Sequence, residues 1–241
     1  MVPKHRKGLI IERKSRRVHL TTSPYYETIK KRKSSMPLKM MFSSFGFNSP
    51  ILREKFAHVI PQDESLQKKT CFVIPYAGFN ADKTFEREKQ GLVSFGFNPD
   101  KIVYVKNRVD IAHQFPDYIY VPGGNPFKLL NTIKELEIFQ DIIDCVRDKH
   151  SVYIGVSAGA DITTQSIEYV TQLEDNNEIN DKDFKALGLI SRCLLCHYDH
   201  YTYATLKVCQ EVSGNFAMPI NDTQLLIFEN YKWKYIERDV E

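Results

Sequence analysis

The sequence predicts an α/β fold: a doubly wound, mostly parallel sheet with helices on both faces and a C-terminal antiparallel hairpin. Three observations carry this. Short apolar runs rich in β-branched and aromatic residues recur along the chain, as expected of parallel strands covered on both faces. Amphipathic stretches alternate with them in the order β-α-β-α-β-β-α-β-α. Near the end, Thr223–Phe228 and Lys232–Ile236 flank Glu229-Asn230-Tyr231, which reads as a hairpin at the sheet edge.

The elements follow in order. Leu38 to Ser44 is a first strand that runs into the loop Phe45-Gly46-Phe47-Asn48-Ser49. Pro50 suits the first turn of a helix continuing to about Val59. Thr70 to Pro75 is a second strand. Asp82 is placed to cap a helix running to about Ser94 and stopped by Gly96. Lys101 to Val105 and Asp117 to Val121 are the third and fourth strands. Gly123-Gly124-Asn125 then breaks the chain, Pro126 starts a helix, and a second helix covers about Glu135 to Asp148. Val152 to Val156 is the fifth strand, and Cys193 to Cys196 reads as a further one.

The chain has 241 residues, 42% of them hydrophobic, enough for one large domain with a sizeable core. No apolar run approaches the roughly 20 residues that span a bilayer, so no membrane span is expected. Five cysteines, an odd and small number, read as reduced thiols of a cytoplasmic protein. Charge divides the chain. Residues 1–37 hold 11 Lys or Arg against 2 Glu, a net of +9, while the remainder carries 22 against 28, a net of −6. The first segment lacks apolar periodicity and reads as a basic, disordered extension to a domain at 38–241. Its basic blocks are read as solvated rather than as a nucleic-acid site.

Chemistry concentrates after the fifth strand. Gly155-Val156-Ser157-Ala158-Gly159 is a G-x-S-x-G pattern, which sets a serine on a sharp turn between strand and helix. Its hydroxyl then lies beyond the strand's carboxyl end, where open α/β sheets hold their sites. A serine nucleophile needs a base and an oxyanion site. Gly123 and Gly124, after the fourth strand, can bring bare backbone N–H groups close to a substrate carbonyl, and the N–H of Ala158 would be the second donor. Of seven histidines, His197 at the end of the Cys193–Cys196 strand is placed as the base. A carboxylate between Ser157 and His197 would complete the set, and the segment from Glu174 to Asp183 supplies several that spacing does not separate. Cys193-Leu-Leu-Cys196-His197 also matches a haem-attachment pattern, and one C-x-x-C is half a zinc site. The two leucines favour a buried strand, and neither metal nor cofactor is expected.

Three stretches resemble a known family. Y-V-P-G-G-N-P-F-K-L-L at 120–130, Y-I-G-V-S-A-G-A at 153–160 and L-G-L…H-Y-D at 187–199 are similar to the S51 serine peptidases, the peptidase E (α-aspartyl dipeptidase) and cyanophycinase group. The similarity extends over about 38–236. It implies the class I glutamine-amidotransferase-like α/β sandwich and a serine peptidase acting on small peptides. Ser157 would be the nucleophile, His197 the base, and Gly124 and Ala158 the oxyanion donors. Glu174, with Asp175 as the alternative, would be the acid. Gly123, Asn125, Tyr198 and Lys207 are the substrate-binding candidates. One departure bears on specificity: peptidase E holds its substrate's aspartyl carboxylate with an arginine beyond the histidine. Here no arginine follows His197 until Arg238, so a strict aspartyl preference is not expected. A homodimer is compatible with this reading. The competing readings are a non-peptide amide or ester hydrolase on the same site, and a catalytically silent binding protein of the fold.

Overall fold

A computed structural model of the chain describes residues 38–148, 150–173 and 182–236. The basic extension at 1–37 lies outside them, as do Glu174 and Asp175. The elements are β1 (Lys39–Ser43), α1 (Pro50–Ala57), β2 (Cys71–Val73), α2 (Ala81–Phe95), β3 (Ile102–Tyr104), β4 (Tyr118–Val121), α3 (Pro126–Glu135), α4 (Phe139–Arg147), β5 (Val152–Val156), α5 (Ala158–Asp161), β6 (Cys193–Cys196), α6 (Tyr203–Ser213), β7 (Ala217–Ile220), β8 (Leu225–Glu229) and β9 (Lys232–Ile236).

Seven strands form the main sheet in the order β3-β2-β4-β5-β1-β8-β9. The first five are parallel, and β8 and β9 are antiparallel. Side-chain alternation feeds two cores. Met41 of β1 points to the face covered by Leu52 and Phe56 of α1 and by Phe85 and Leu92 of α2. Its neighbours Met40 and Phe42 point to the other face, against Phe127, Leu130 and Ile133 of α3 and Ile142 of α4. Burying each such side chain contributes about 1.5–3 kcal/mol, so a one-residue slip of β1 would be costly on both faces. The hairpin turns through Asn230 and Tyr231, whose φ angles of 53° and 61° suit the two-residue connection that matches strand twist.

Three features depart from the sequence reading. β6 does not join the main sheet; it pairs in parallel with β7 in a separate two-stranded sheet, Cys196 opposite Ile220. The sequence does not predict β7, because A-M-P-I is short and carries a proline. The cap of α2 is Asn80, not Asp82. Asn80 is extended and its side chain accepts from the Lys83 N–H at 2.9 Å, whereas Asp82 already sits in the first turn. Among the described residues no helix is long and apolar enough to cross a membrane.

Candidate active site

Three neighbouring strands deliver the site. β4, β5 and β1 lie side by side with Val121 opposite Gly155 and Ser43 opposite Val156. Their carboxyl ends therefore bring Gly123-Gly124, Ser157 and Ser44-Phe45 together. Ser157 has φ 49° and ψ −114°, a conformation that costs a non-glycine residue on the order of 1–3 kcal/mol. Close packing enforces it. The Ser157 N–H donates to the Ser43 carbonyl at 2.9 Å, and the Ser157 carbonyl accepts from the N–H groups of Ala160 and Asp161. Gly159 lies so near β4 that a Cβ there would stand 2.0 Å from the Val121 carbonyl oxygen. The second glycine of the pattern is thus what lets α5 start this close to the sheet.

The candidate base and the carboxylate beside it follow the two strands of the small sheet. His197 follows β6 in a left-handed conformation, φ 56°. Its Nε2 lies 3.2 Å from Ser157 Oγ and its Nδ1 lies 2.8 Å from Asp222 Oδ1. Asp222 follows β7, so the parallel β6–β7 pair sends both residues to the same end by the rule that places Ser157 at the end of β5. Ser44 locks the two sheets together. Its Oγ accepts from the His197 N–H at 2.8 Å and donates toward the Ile220 and Asn221 carbonyls at 3.1 and 3.2 Å. Phe45 packs edge-on against the His197 ring, 5.1 Å between centroids. An ionised carboxylate only accepts, so the Nδ1 atom of His197 carries the proton in this arrangement. That leaves Nε2 as an acceptor toward the serine hydroxyl.

The comparisons with known proteins agree with this frame. The model of peptidase family S51 matches residues 43–236. The chain belongs to peptidase family S51. An uncharacterised peptidase of Listeria monocytogenes is 30% identical over 188 residues, 73% of this chain and 91% of the relative. A peptidase E of Shewanella denitrificans is 29% identical over 167 residues, 67% of each chain. A crystal structure of a Listeria monocytogenes protein assigned by name to peptidase E superposes with a TM-score of 0.67 at 24% identity. It covers 84% of this chain and 99% of that one, a likeness of fold. This S51 chain is a serine-type peptidase.

The candidate site of this S51 chain sits in a cleft of about 450 Å³ lined by Ser157, His197, Gly123, Gly124 and residues of the β1 loop (Ser44, Phe45, Gly46, Asn48 and Ser49), with Arg87, Glu88 and Tyr120 on its wall. Of the residues singled out from sequence, Ser157, His197, Gly123 and Gly124 meet here. Gly124 has φ 144°, and a Cβ on it would lie 2.2 Å from the Ala77 carbonyl oxygen, so no other residue fits. Ala158 is the first residue of α5, where backbone N–H groups have no intrahelical partner. The side chain of Asn125 caps α3 by accepting from the Lys128 N–H at 2.9 Å. Tyr198 packs against the core and Lys207 lies over the Tyr203 ring; neither lines the cleft.

The carboxylate that meets His197 is not one the sequence reading named. Glu174 and Asp175 lie outside the described residues, and the carboxylate on His197 Nδ1 is that of Asp222. Two other acids of that region are engaged elsewhere. Asp183 pairs with Lys134 at 2.9 Å, and Asp199 Oδ2 accepts from the Asp222 N–H at 2.8 Å. Asp222 lies beyond the segment between Ser157 and His197, just after β7, a strand that local pattern does not predict. The signal that local pattern does give is a short apolar run followed by Asn221-Asp222-Thr223, with Asn221 Oδ1 accepting from the Thr223 N–H to form a tight turn.

The cleft also holds a cation that the sequence does not single out, Arg87. Arg87 lines the wall with its Nη2 2.8 Å from Glu88 Oε1. Glu88 is buried and its Oε2 accepts from the Tyr120 hydroxyl at 2.7 Å. Burial, reinforced by the Glu88 carboxylate, pushes the Tyr120 hydroxyl well above its ordinary pKa, so it stays a donor. Cys196, beside the base, is likewise raised well above the usual thiol value by burial. It remains a protonated thiol, and Ser157 is the nucleophile the geometry favours.

Proposed function

We propose that the chain hydrolyses small peptides through an acyl-enzyme on Ser157. Ser157 Oγ attacks the scissile carbonyl carbon while His197 Nε2 takes its proton. The oxyanion accepts hydrogen bonds from the Gly124 and Ala158 N–H groups. As the C–N bond breaks, His197 returns the proton to the leaving amine. Water then repeats the sequence on the acyl-serine with His197 again as base. Asp222 holds the Nδ1–H and stabilises the imidazolium that forms. The observation that carries this reading is the hydrogen-bonded line from Ser157 Oγ through His197 to Asp222. The cleft volume is within the range of small-molecule sites, which suits a dipeptide-sized substrate. A fluorophosphonate probe should label the protein on Ser157, located by peptide mass mapping. A folded, unlabelled protein would favour a silent binding role.

Specificity follows from the charges on the cleft wall. A fixed cation reading a substrate carboxylate is worth roughly 1.5–3 kcal/mol as a charge-assisted hydrogen bond. Arg87 is the cation available, but it is mostly exposed and its charge is offset by Glu88. kcat/KM for Asp-Leu should therefore exceed that for Ala-Leu by less than about a hundredfold. A larger ratio that disappears in Arg87→Met would show that Arg87 reads the aspartyl carboxylate despite its partner.

A further inference from the structure

The acid of the proposed relay is gripped at three points by the turn that carries the base. Asp222 Oδ1 meets His197 Nδ1 at 2.8 Å and Oδ2 meets His200 Nε2 at 3.2 Å. The Asp222 backbone N–H donates to Asp199 Oδ2 at 2.8 Å. The 3₁₀ turn Tyr198–His200 and its N-cap His197 thus project His197, Asp199 and His200 onto one aspartate of the β7–β8 connection. We propose that His200 is a positioning residue for catalysis: its ring N–H fixes the second oxygen of Asp222 and so sets the plane of the carboxylate that orients His197. This rests on the serine-relay reading above.

The physical case has two parts. A carboxylate anchored by one oxygen still rotates about its Cβ–Cγ bond, and the torsion of an sp³–sp² bond is soft. Rotation would swing Oδ1 off the line to Nδ1 and let the imidazole tilt away from Ser157. Anchoring Oδ2 as well removes that freedom. The second part is the tautomer. The ionised Asp222 has no proton to give, so His200 must carry its proton on Nε2, and it serves as a donor while neutral. His200 is not a core ring: its side chain is 68% exposed, so its truncation leaves no cavity. Its side chain has no packing role large enough to explain the contact, and the direction of its N–H is what it contributes.

The test uses the full chain and a dipeptide that the wild-type enzyme cleaves, with kcat and KM measured for His200→Ala, His200→Gln and Asp222→Asn. The amide of glutamine offers a neutral N–H that can reach Oδ2. His200→Ala should lower kcat about tenfold with KM and melting temperature unchanged, the scale of one exposed charge-assisted hydrogen bond lost from the transition state. His200→Gln should recover most of it. A His200→Ala enzyme with wild-type kcat would overturn the proposal. So would alanine and glutamine variants that are equally impaired, since the N–H would then not be what matters. If Asp222→Asn is itself fully active, the relay reading fails and takes this inference with it. If Asp222→Asn is crippled and His200→Ala is not, only the positioning role falls.

Discussion

Ser157→Ala is expected to abolish peptide hydrolysis, lowering kcat by several orders of magnitude, while the protein keeps its melting temperature. The activity loss follows from removing the only atom in the relay that bonds to substrate carbon. The unchanged stability follows from how the elbow is held. Ser157 keeps its conformation through backbone groups: its N–H on the Ser43 carbonyl and its carbonyl under the Ala160 and Asp161 N–H groups. Alanine preserves all three. The side chain gives up one contact, 3.2 Å to His197, at a half-buried position. The measurement is kcat on a dipeptide together with a thermal melt. Turnover at the wild-type rate in a folded Ser157→Ala protein would remove Ser157 from the mechanism.

Asp222→Asn should be nearly as damaging, with kcat lower by about 10³–10⁴-fold, and Glu174→Gln should fall within a few-fold of wild type. An aspartate at Nδ1 accepts a hydrogen bond from the imidazole N–H and leaves Nε2 free as base. An asparagine can turn its NH₂ toward the ring, which moves the proton to Nε2 and leaves a donor facing the serine hydroxyl. It also removes the negative charge that stabilises the imidazolium in the transition state. KM should change little, since Asp222 touches His197 and not the cleft. The two variants separate the assignments cleanly. Should Glu174→Gln be the crippled enzyme and Asp222→Asn the active one, the acid would return to the segment before His197.

Much of this architecture is written locally. Four of the five parallel strands are legible because each is a short, almost wholly buried run, and the edge strand β3 is legible from its β-branched and aromatic residues. The hairpin is legible from two strands separated by a turn. The serine elbow is legible because its glycines are demanded by contacts one strand away: Gly159 has no room for a methyl beside β4. His197 could be chosen among seven histidines because it ends a strand after the serine. Each of these readings uses residues within a few positions of one another or a rule about strand ends.

The carboxylate at His197, the cleft's charge and the role of Ser44 are different. Asp222 is 25 residues from His197 and Ser44 is 153 from it. They meet because β6 and β7 pair in register and because β1 is the sheet's inner strand beside β5. Pairing between strands is a long-range choice among many acids and serines of similar local character, and local pattern does not rank them. Arg87 is the same case, a helix residue that reaches the cleft because α2 packs over the face holding Tyr120. The sequence by itself determined the fold class and singled out Ser157 as candidate nucleophile and His197 as candidate base. Only the tertiary structure decided which carboxylate faces that base, which charges line the cleft and what holds them there, because those depend on where distant strands and helices come to rest.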